Sequence, residues 1–263
     1  MKRDSGRRKS KIYGNYVVLS PEGEFMFRST HKRAKWYLDR GLADLVSETP
    51  PAIKFNFKPK GGGHVGDLYY LTEKKNKCVV CGEEDLGVLT RHHIVPIDYR
   101  KFLPETVKAR NSHDIVAICR DCHDVYEQKY ALELRMELAL RYNAPVLPKE
   151  TQYPELTAIG LAFCLVNYGH KIPANNIKEM RGRMRDVLGV KRISQKMIDE
   201  LSKKDLKEER KKYPTHAEIV VSKLENIQEF VEMWRLHFVK TMQPKFMPKH
   251  WNVKRTIYRK NSI

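Results

Sequence analysis

The sequence predicts an α+β protein, in which a small N-terminal α/β segment precedes a central strand–strand–helix module and an all-helical C-terminal region. Short apolar or alternating runs predict strands in the N-terminal half, two C-x-x-C pairs bracket the central strands, and amphipathic helical patterns dominate after Pro148. We place the segments at 1–11, a basic tail expected to be disordered, and at 12–74, 75–145 and 146–263.

The N-terminal segment begins with two predicted strands, Tyr13–Leu19 and Phe25–Arg28, which the turn sequence S-P-E-G separates. A helix is predicted over His31–Arg40, because Thr30 is a good N-cap and Gly41 follows the last turn. Alternating apolar and polar residues predict a third strand at Ile53–Phe57.

Four of the five cysteines form two C-x-x-C pairs, with 37 residues between the pairs. Two such pairs supply four thiolates, the ligand set of a closed structural zinc site. Two redox motifs are the alternative, but neither pair lies in a thioredoxin-like βαβ pattern. We find no apolar secretory leader in the sequence, and we therefore do not expect a disulfide framework. For the same reason we expect an intracellular protein, nuclear or cytoplasmic. The predicted zinc ligands are Cys78, Cys81, Cys119 and Cys122.

Between the cysteine pairs, one strand carries the sequence L-T-R-H-H-I-V and ends at Pro96, and a second covers Asp114–Ile118. An amphipathic helix is predicted from Asp124 to Tyr142. After Pro148 the patterns predict helices, the last with a capping box of Thr215 and Glu218, over 154–168, 175–188, 194–211 and 215–242.

The composition indicates a phosphate-rich partner. Fifty Lys and Arg against thirty-two Asp and Glu give a net charge of +18, which is typical of chains that bind DNA, RNA or an anionic lipid surface. Residues 1–12 and 233–263 are strongly basic and are expected to be cationic tails that lie on a polyanion. The longest apolar run, Ile159–Val166, is too short to span a membrane. The oligomeric state is left open.

Three histidines fall next to the cysteine pairs. His92 and His93 lie near the end of the first central strand, and His123 follows Cys122 at the start of the helix. Neighbouring strand residues point to opposite faces, so one of the pair can ligate a metal together with His123 while the other reaches a water molecule. Phosphodiester hydrolysis needs both a divalent cation at the phosphate and a general base for the water.

The segments C-V-V-C-G, R-H-H-I-V-P and H-D-I-V-A-I-C-R-D-C-H together resemble the HNH (ββα-metal) nuclease motif with zinc knuckles. The resemblance implies that His92 and His123 ligate a catalytic Mg²⁺ or Mn²⁺ and that His93 is the general base. Asp114 stands where the motif has an asparagine; it can accept hydrogen bonds or join the metal, but it cannot donate. Asn111, three residues earlier, is a candidate substitute for that asparagine.

A wider resemblance covers most of residues 12–210 and includes I-Y-G-N-Y-V-V-L-S-P-E-G-E-F-M-F and I-V-P-I-D-Y-R-K-F-L-P-E. These stretches are similar to the C-terminal region of the exonuclease 3′–5′ domain-containing protein 2 family. We expect the exonuclease domain of that family to be missing here, because only about 75 residues precede the first cysteine pair. The resemblance also implies an association with mitochondria as a further localisation.

The sequence therefore predicts a metal-dependent nuclease, with endonuclease activity, that hydrolyses DNA or RNA at the HNH site. The alternative is a catalytically inert, zinc-stabilised module that binds nucleic acid and whose histidines have no chemical role. DNA and RNA are not distinguished, because such a site contacts phosphate and sugar while flanking loops decide the substrate.

Overall fold

The computed structural model of the chain describes residues 11–61, 63–105, 112–146 and 153–257. The chain forms two compact units, one made of Met1–Leu132 and Glu225–Ile263 and the other of Glu133–Leu224. The first unit thus joins the N-terminal segment, the central module up to Leu132 and the last part of the chain. The functional division at 1–11, 12–74, 75–145 and 146–263 stays a prediction, and residues 1–10 of the predicted tail lie outside the described residues.

A four-stranded sheet forms the N-terminal part of the first unit. Its strands, in the order β2-β1-β4-β3, are β1 (Tyr16–Leu19), β2 (Phe25–Ser29), β3 (Ala43–Glu48) and β4 (Pro51–Phe55). Strand β1 pairs in parallel with β4, and the other two pairings are antiparallel. The three predicted strands correspond to β1, β2 and β4, although β4 begins and ends two residues earlier than predicted. Strand β3 was not predicted.

Helix α1 (His31–Asp39) connects the two halves of this sheet. The Thr30 hydroxyl accepts a hydrogen bond from the Arg33 backbone N–H, which confirms the predicted N-cap. Residues of α1 and of all four strands form one apolar core, in which Val18, Ala34 and Ile53 are fully buried. Burial of this common core fixes the sheet against the helix.

The central module is a two-stranded antiparallel sheet followed by a helix. Strand β5 (Leu89–His93) pairs with β6 (Ile115–Cys119), and α4 (Arg120–Val125) starts directly after β6. A π-helical turn, Tyr126–Tyr130, leads from α4 into α5 (Ala131–Tyr142). Shorter helical elements of the first unit are α2 (Leu68–Leu71), α3 (Ile97–Arg100) and a 3₁₀ turn at Ser112–Asp114.

The second unit is helical throughout its described residues. Its core is formed by Ala162, Met184 and Ile198 from three different helices. The predicted helix 194–211 is two helices, because Asp205 caps a new helix after a break at residues 203–205. Beyond α5, its helices are α6 (Pro154–Tyr168), a 3₁₀ turn at Gly169–Lys171, α7 (Ala174–Leu188), α8 (Gln195–Ser202), α9 (Leu206–Lys211) and α10 (His216–Ser222).

The last helix, α11 (Ile227–Met242), belongs to the first unit. The predicted helix 215–242 is therefore split between α10, whose capping box of Thr215 and Glu218 is confirmed, and α11, which Asn226 caps. After α11, residues 243–257 form what we call the C-terminal segment.

The prediction that residues 233–263 form a free cationic tail is wrong for the described part of that range. The backbone N–H of Phe246 donates to the Val79 carbonyl, and the Trp251 indole donates to the carbonyl of His113. Ile257 is buried, and its N–H donates to Gln228. The C-terminal segment is thus packed against the unit that contains the cysteine pairs, because its apolar residues find partners there.

The described residues combine strands and helices, as the predicted α+β class requires. Residues 153–257 of the described chain contain helices and no strand, as predicted for the C-terminal region. Within the part of the chain that the structure describes, no helix has the length and apolar character needed to cross a membrane.

Candidate metal centre and HNH site

The two C-x-x-C pairs converge in space. The sulfur atoms of Cys78, Cys81, Cys119 and Cys122 all lie within 4.8 Å of one another, and the Sγ atoms of Cys81 and Cys119 are 3.7 Å apart. Strand β6 delivers Cys119 and the first turn of α4 delivers Cys122, so the cluster lies where the sheet meets the helix. The arrangement can hold a metal ion, as predicted.

The first pair sits in a tight turn that the backbone closes. The N–H of Gly82 donates to the Cys78 carbonyl, and Gly82 has a φ of +88°, which favours glycine. A β-carbon at Gly82 would also lie 2.7 Å from the ring of Phe246 in the C-terminal segment. The Val79 N–H donates to Ala117 on β6, which ties this turn to the second pair.

The thiol groups differ in acidity because of their surroundings. Burial raises the pKa of Cys119 to about 11, and burial and the neighbouring thiols raise the pKa of Cys122 as well. Burial acts in the same direction on Cys78, but backbone N–H groups, among them that of Cys119, outweigh it and lower the pKa of Cys78. A divalent cation at the centre would supply the positive charge that stabilises all four thiolates.

A second group of metal-binding side chains consists of His92, His123 and Glu127, whose ligand atoms lie within 4.8 Å of one another. Strand β5 provides His92, helix α4 provides His123, and the π-helical turn provides Glu127. The ring centroids of His92 and His123 are 5.2 Å apart, and the Nδ1 of His92 is 3.6 Å from a carboxylate oxygen of Glu127.

His92 is the buried member of this group, with 1% of its side chain exposed. Neither of its ring nitrogens has a hydrogen-bond partner among the described residues, although buried polar atoms are normally paired. The rings of Tyr126 and Phe238 surround it. Burial, and then the proximity of His123, lowers the pKa of His92 to about 3, so its imidazole is neutral, which is the form that ligates metals.

The other two members are more open. The side chains of His123 and Glu127 are 30% and 33% exposed, so solvent or a ligand reaches the group from their side. The group therefore combines one buried side chain with two accessible ones, an arrangement that leaves room for solvent or a further ligand at a bound ion.

His93 ends strand β5 and is half-buried, whereas His92 before it is buried. The two side chains therefore lie in different environments, as expected for neighbours on a strand. Burial, together with the guanidinium groups of Arg100 and Arg91, lowers the pKa of His93 below its usual value. His93 is thus neutral near pH 7 and able to accept a proton.

Asp114 ends the 3₁₀ turn directly before β6 and lies outside the group of His92, His123 and Glu127. Its carboxylate is buried and accepts two hydrogen bonds from Arg235 on α11, at 2.6 and 3.1 Å. Burial favours the neutral acid, but hydrogen bonds from His113 and Arg235 outweigh it and lower the pKa of Asp114. Of the two roles considered for Asp114, the structure has it accepting hydrogen bonds. Asn111 lies outside the described residues.

Sequence reasoning missed two residues of this region, Glu127 and Arg235. Glu127 follows His123 by four positions, a spacing that brings two helical side chains onto one face, so the signal was present. Arg235 lies among the buried apolar residues of α11, and a single charge within a buried apolar stripe is itself informative. Its partner, however, is 121 residues away in sequence.

Comparisons with known proteins agree with this geometry. Residues 78–129, which include both cysteine pairs and all three clustered side chains, match the family described as HNH endonuclease. Human "Exonuclease 3′-5′ domain-containing protein 2" is 30% identical over 255 residues, which cover 94% of this chain and 41% of that protein. The protein of the same name from Drosophila melanogaster is 33% identical over 95% of this chain and 45% of its own length.

The alignment with a plant relative covers less of this chain. "Protein RRP6-like 3" of Arabidopsis thaliana is 30% identical over 215 residues, 73% of this chain and 24% of that protein. The chain thus spans less than half the length of these curated relatives, and no solved structure matches it significantly. The recognition made from the sequence is confirmed: residues 78–129 match the HNH endonuclease family, and nearly the whole chain is similar to exonuclease 3′-5′ domain-containing protein 2.

Proposed function

We propose that the chain is a metal-dependent nuclease that hydrolyses phosphodiester bonds of DNA or RNA as an endonuclease. The observation that carries this proposal is the buried His92, whose ring nitrogens find no hydrogen-bond partner in the described part of the chain and which lies next to His123 and Glu127. A buried polar group without a partner is costly, so its retention beside two further ligands favours a metal-binding role. The HNH match and the nuclease-type names of the relatives support the same class of function.

His92, His123 and Glu127 are the proposed ligands of a catalytic Mg²⁺ or Mn²⁺. Glu127 adds a carboxylate to the two predicted histidines, and carboxylate oxygen is a preferred ligand of both ions. When bound, such a cation polarises the scissile phosphate and stabilises the leaving oxygen. The ring of Phe238 stacks on His92 and holds it in place, while the exposed sides of His123 and Glu127 leave room for a phosphate.

His93 is the proposed general base. Its half-buried ring is neutral near pH 7, because burial, Arg100 and Arg91 lower its pKa, and a neutral imidazole accepts the proton of the attacking water. The same two guanidinium groups are positive charges close to His93, where the phosphate of a nucleic acid would need compensation. The proposed base His93 and the proposed metal ligand His92 therefore have separate roles at neighbouring positions of β5.

The four-cysteine cluster is proposed to hold a structural Zn²⁺. Thiolates are zinc's preferred ligands, and four of them leave no open position for chemistry. Asp114 is proposed to act as a hydrogen-bond acceptor directly before β6, and Asn111 keeps its predicted role as an alternative. The charge of +18 supports nucleic acid as the substrate, in the nuclear, cytoplasmic or mitochondrial compartments where it occurs.

The test uses covalently closed plasmid, circular single-stranded DNA and RNA, each incubated with the purified chain in Mg²⁺, Mn²⁺ or EDTA. Circular substrates have no ends, so their cleavage demonstrates endonuclease activity. We expect metal-dependent cleavage that falls by about 10²–10⁴-fold in His93→Ala, with metal binding preserved. His92→Ala and Glu127→Gln should lose activity that a higher metal concentration partly restores.

His170→Ala is the matched control, because this exposed histidine lies in the helical unit and has no place in the site. It should cleave like the unaltered chain. Binding without any metal-dependent cleavage would instead support the inert nucleic-acid-binding module. Cleavage that is equal in all variants and insensitive to EDTA would indicate a contaminating nuclease and contradict the catalytic assignment.

A further inference from the structure

A buried ion pair of the first unit joins Asp114, in the 3₁₀ turn directly before β6, to Arg235 on helix α11. The Arg235 Nε and Nη2 atoms donate to the two carboxylate oxygens of Asp114, at 2.6 and 3.1 Å. The Arg235 side chain is fully buried and that of Asp114 is 6% exposed. Two parallel charge-assisted hydrogen bonds fix both the distance and the orientation of the two groups.

The same guanidinium also holds the C-terminal segment. Its Nη1 atom donates to the carbonyl of Val253 at 3.0 Å and to that of Arg255 at 2.6 Å. Arg235 thus uses four of the five N–H groups that a guanidinium offers. A lysine, with a single nitrogen, cannot reproduce this fork. One side chain therefore joins β6, α11 and the C-terminal segment.

This pair is connected to the strand that carries His93. The carbonyl of Asp114 accepts a hydrogen bond from the N–H of Ile94, the residue after His93, at 2.9 Å. Ile115, the residue after Asp114, is the register partner of His93 in the two-stranded sheet. The position of Asp114 therefore determines where the end of β5 lies, and with it the backbone of His93.

We infer that Arg235 is a positioning residue for His93 and that it acts through Asp114. This inference rests on the proposed function, in which His93 accepts a proton from water. A base must be held within a fraction of an ångström of its productive position, and a displacement of 1 Å can cost about 10²-fold in rate. With both carboxylate oxygens bound to Arg235, Asp114 serves this framework and is not a ligand of the metal.

The experiment compares Arg235→Lys with Arg28→Lys in the full chain. Arg28 is a matched control, because its Nε and Nη1 atoms also donate to backbone carbonyls of the first unit, and these acceptors, Leu71 and Asn15, lie outside the HNH segment. We expect Arg235→Lys to lower kcat by about 10–10²-fold with KM and metal affinity changed less than about threefold. Arg28→Lys should leave kcat unchanged, even where its thermal stability falls equally.

A second readout does not depend on cleavage. Histidine-selective ¹⁵N labelling reports the ring of His93, identified by comparison with His93→Ala. Arg235→Lys should shift this resonance, and Arg28→Lys should not. If the unaltered chain proves inactive, the proposed function fails, while this spectroscopic comparison still decides the positioning role.

A variant that fails to fold is replaced by Asp114→Asn, which keeps the shape of the side chain but loses one acceptor for Arg235. It should give the same fall in kcat and the same displacement of the His93 resonance. The inference is overturned if Arg235→Lys and Asp114→Asn leave kcat and the His93 resonance as they are, or if both change only as much as in Arg28→Lys.

Discussion

Replacing His92 by leucine should have opposite effects on stability in the absence and in the presence of the catalytic metal. The side chain is 1% exposed, and within the described residues neither ring nitrogen has a hydrogen-bond partner. Leaving a buried polar group unpaired costs about 1–3 kcal/mol, whereas an apolar side chain of similar size avoids that cost. After allowance for imperfect packing against Phe238, we expect His92→Leu to be about 1 kcal/mol more stable than the unaltered chain without this metal.

With Mn²⁺ at a hundred times its dissociation constant, the unaltered chain should gain about 2.7 kcal/mol, because the metal binds only the folded state. His92→Leu lacks a ligand and should gain little. The order of stability therefore reverses on addition of metal. Urea unfolding followed by circular dichroism measures both differences, with the zinc content verified as equal in the two proteins.

His113→Leu is the matched control, since His113 is equally buried but bonded. Its Nε2 accepts from the Asn252 N–H at 3.2 Å, and its ring stacks on Trp251 with centroids 5.2 Å apart. Its replacement should destabilise the protein in both conditions. The reasoning is refuted if metal-free His92→Leu is less stable than the unaltered chain, or if both gain equally from Mn²⁺.

Three further predictions concern the framework. Cys78→Ser should leave the chain without bound zinc and unfold the central module, since structural zinc contributes about 10 kcal/mol or more to the folding free energy. Metal analysis and circular dichroism measure both effects, and a folded, zinc-free variant would contradict the prediction. Ending the chain at Gln243 should lower the melting temperature in the absence of nucleic acid, because Arg235 loses its two carbonyl acceptors and the hydrogen bonds that Phe246 and Trp251 donate are removed. An unchanged melting temperature would restore the free-tail interpretation. Burial, then Arg28 and Arg255, lower the pKa of Lys74 from 10.5 to about 8, so the folded state disfavours the charged form. The free energy of unfolding should therefore rise between pH 8 and 10.5, and urea unfolding of Lys74→Met should lack this rise.

The sequence predicted the parts of the site that short spacings determine. Cys119, Cys122 and His123 lie within five consecutive residues, and the end of β6 and the start of α4 bring them together without help from distant residues. The separation of His92 from His93 follows from the two-residue period of a strand. These features depend on local geometry, so one sequence is sufficient to predict them.

Other elements depend on tertiary partners. Strand β3 (Ala43–Glu48) was not predicted because most of its side chains are exposed, apolar Leu45 and Val46 among them, and its conformation comes from pairing with β4. The predicted helix 194–211 breaks because Asp205 caps a second helix, which competes with continuation of the first. In each case the pattern of hydrophobic residues was too weak to decide the boundary.

The basic C-terminal residues show why charge alone predicts a partner poorly. Arg235 and Arg255 were counted in a cationic tail, yet Arg235 binds Asp114, and Arg255 forms an ion pair with Asp67. Charge counts do not distinguish a guanidinium that meets phosphate from one that meets a buried carboxylate. The two uses differ in their salt dependence, since exposed charges are screened and buried pairs are not. Nucleic-acid binding should therefore be sought on cations outside these pairs, such as Arg91 beside His93.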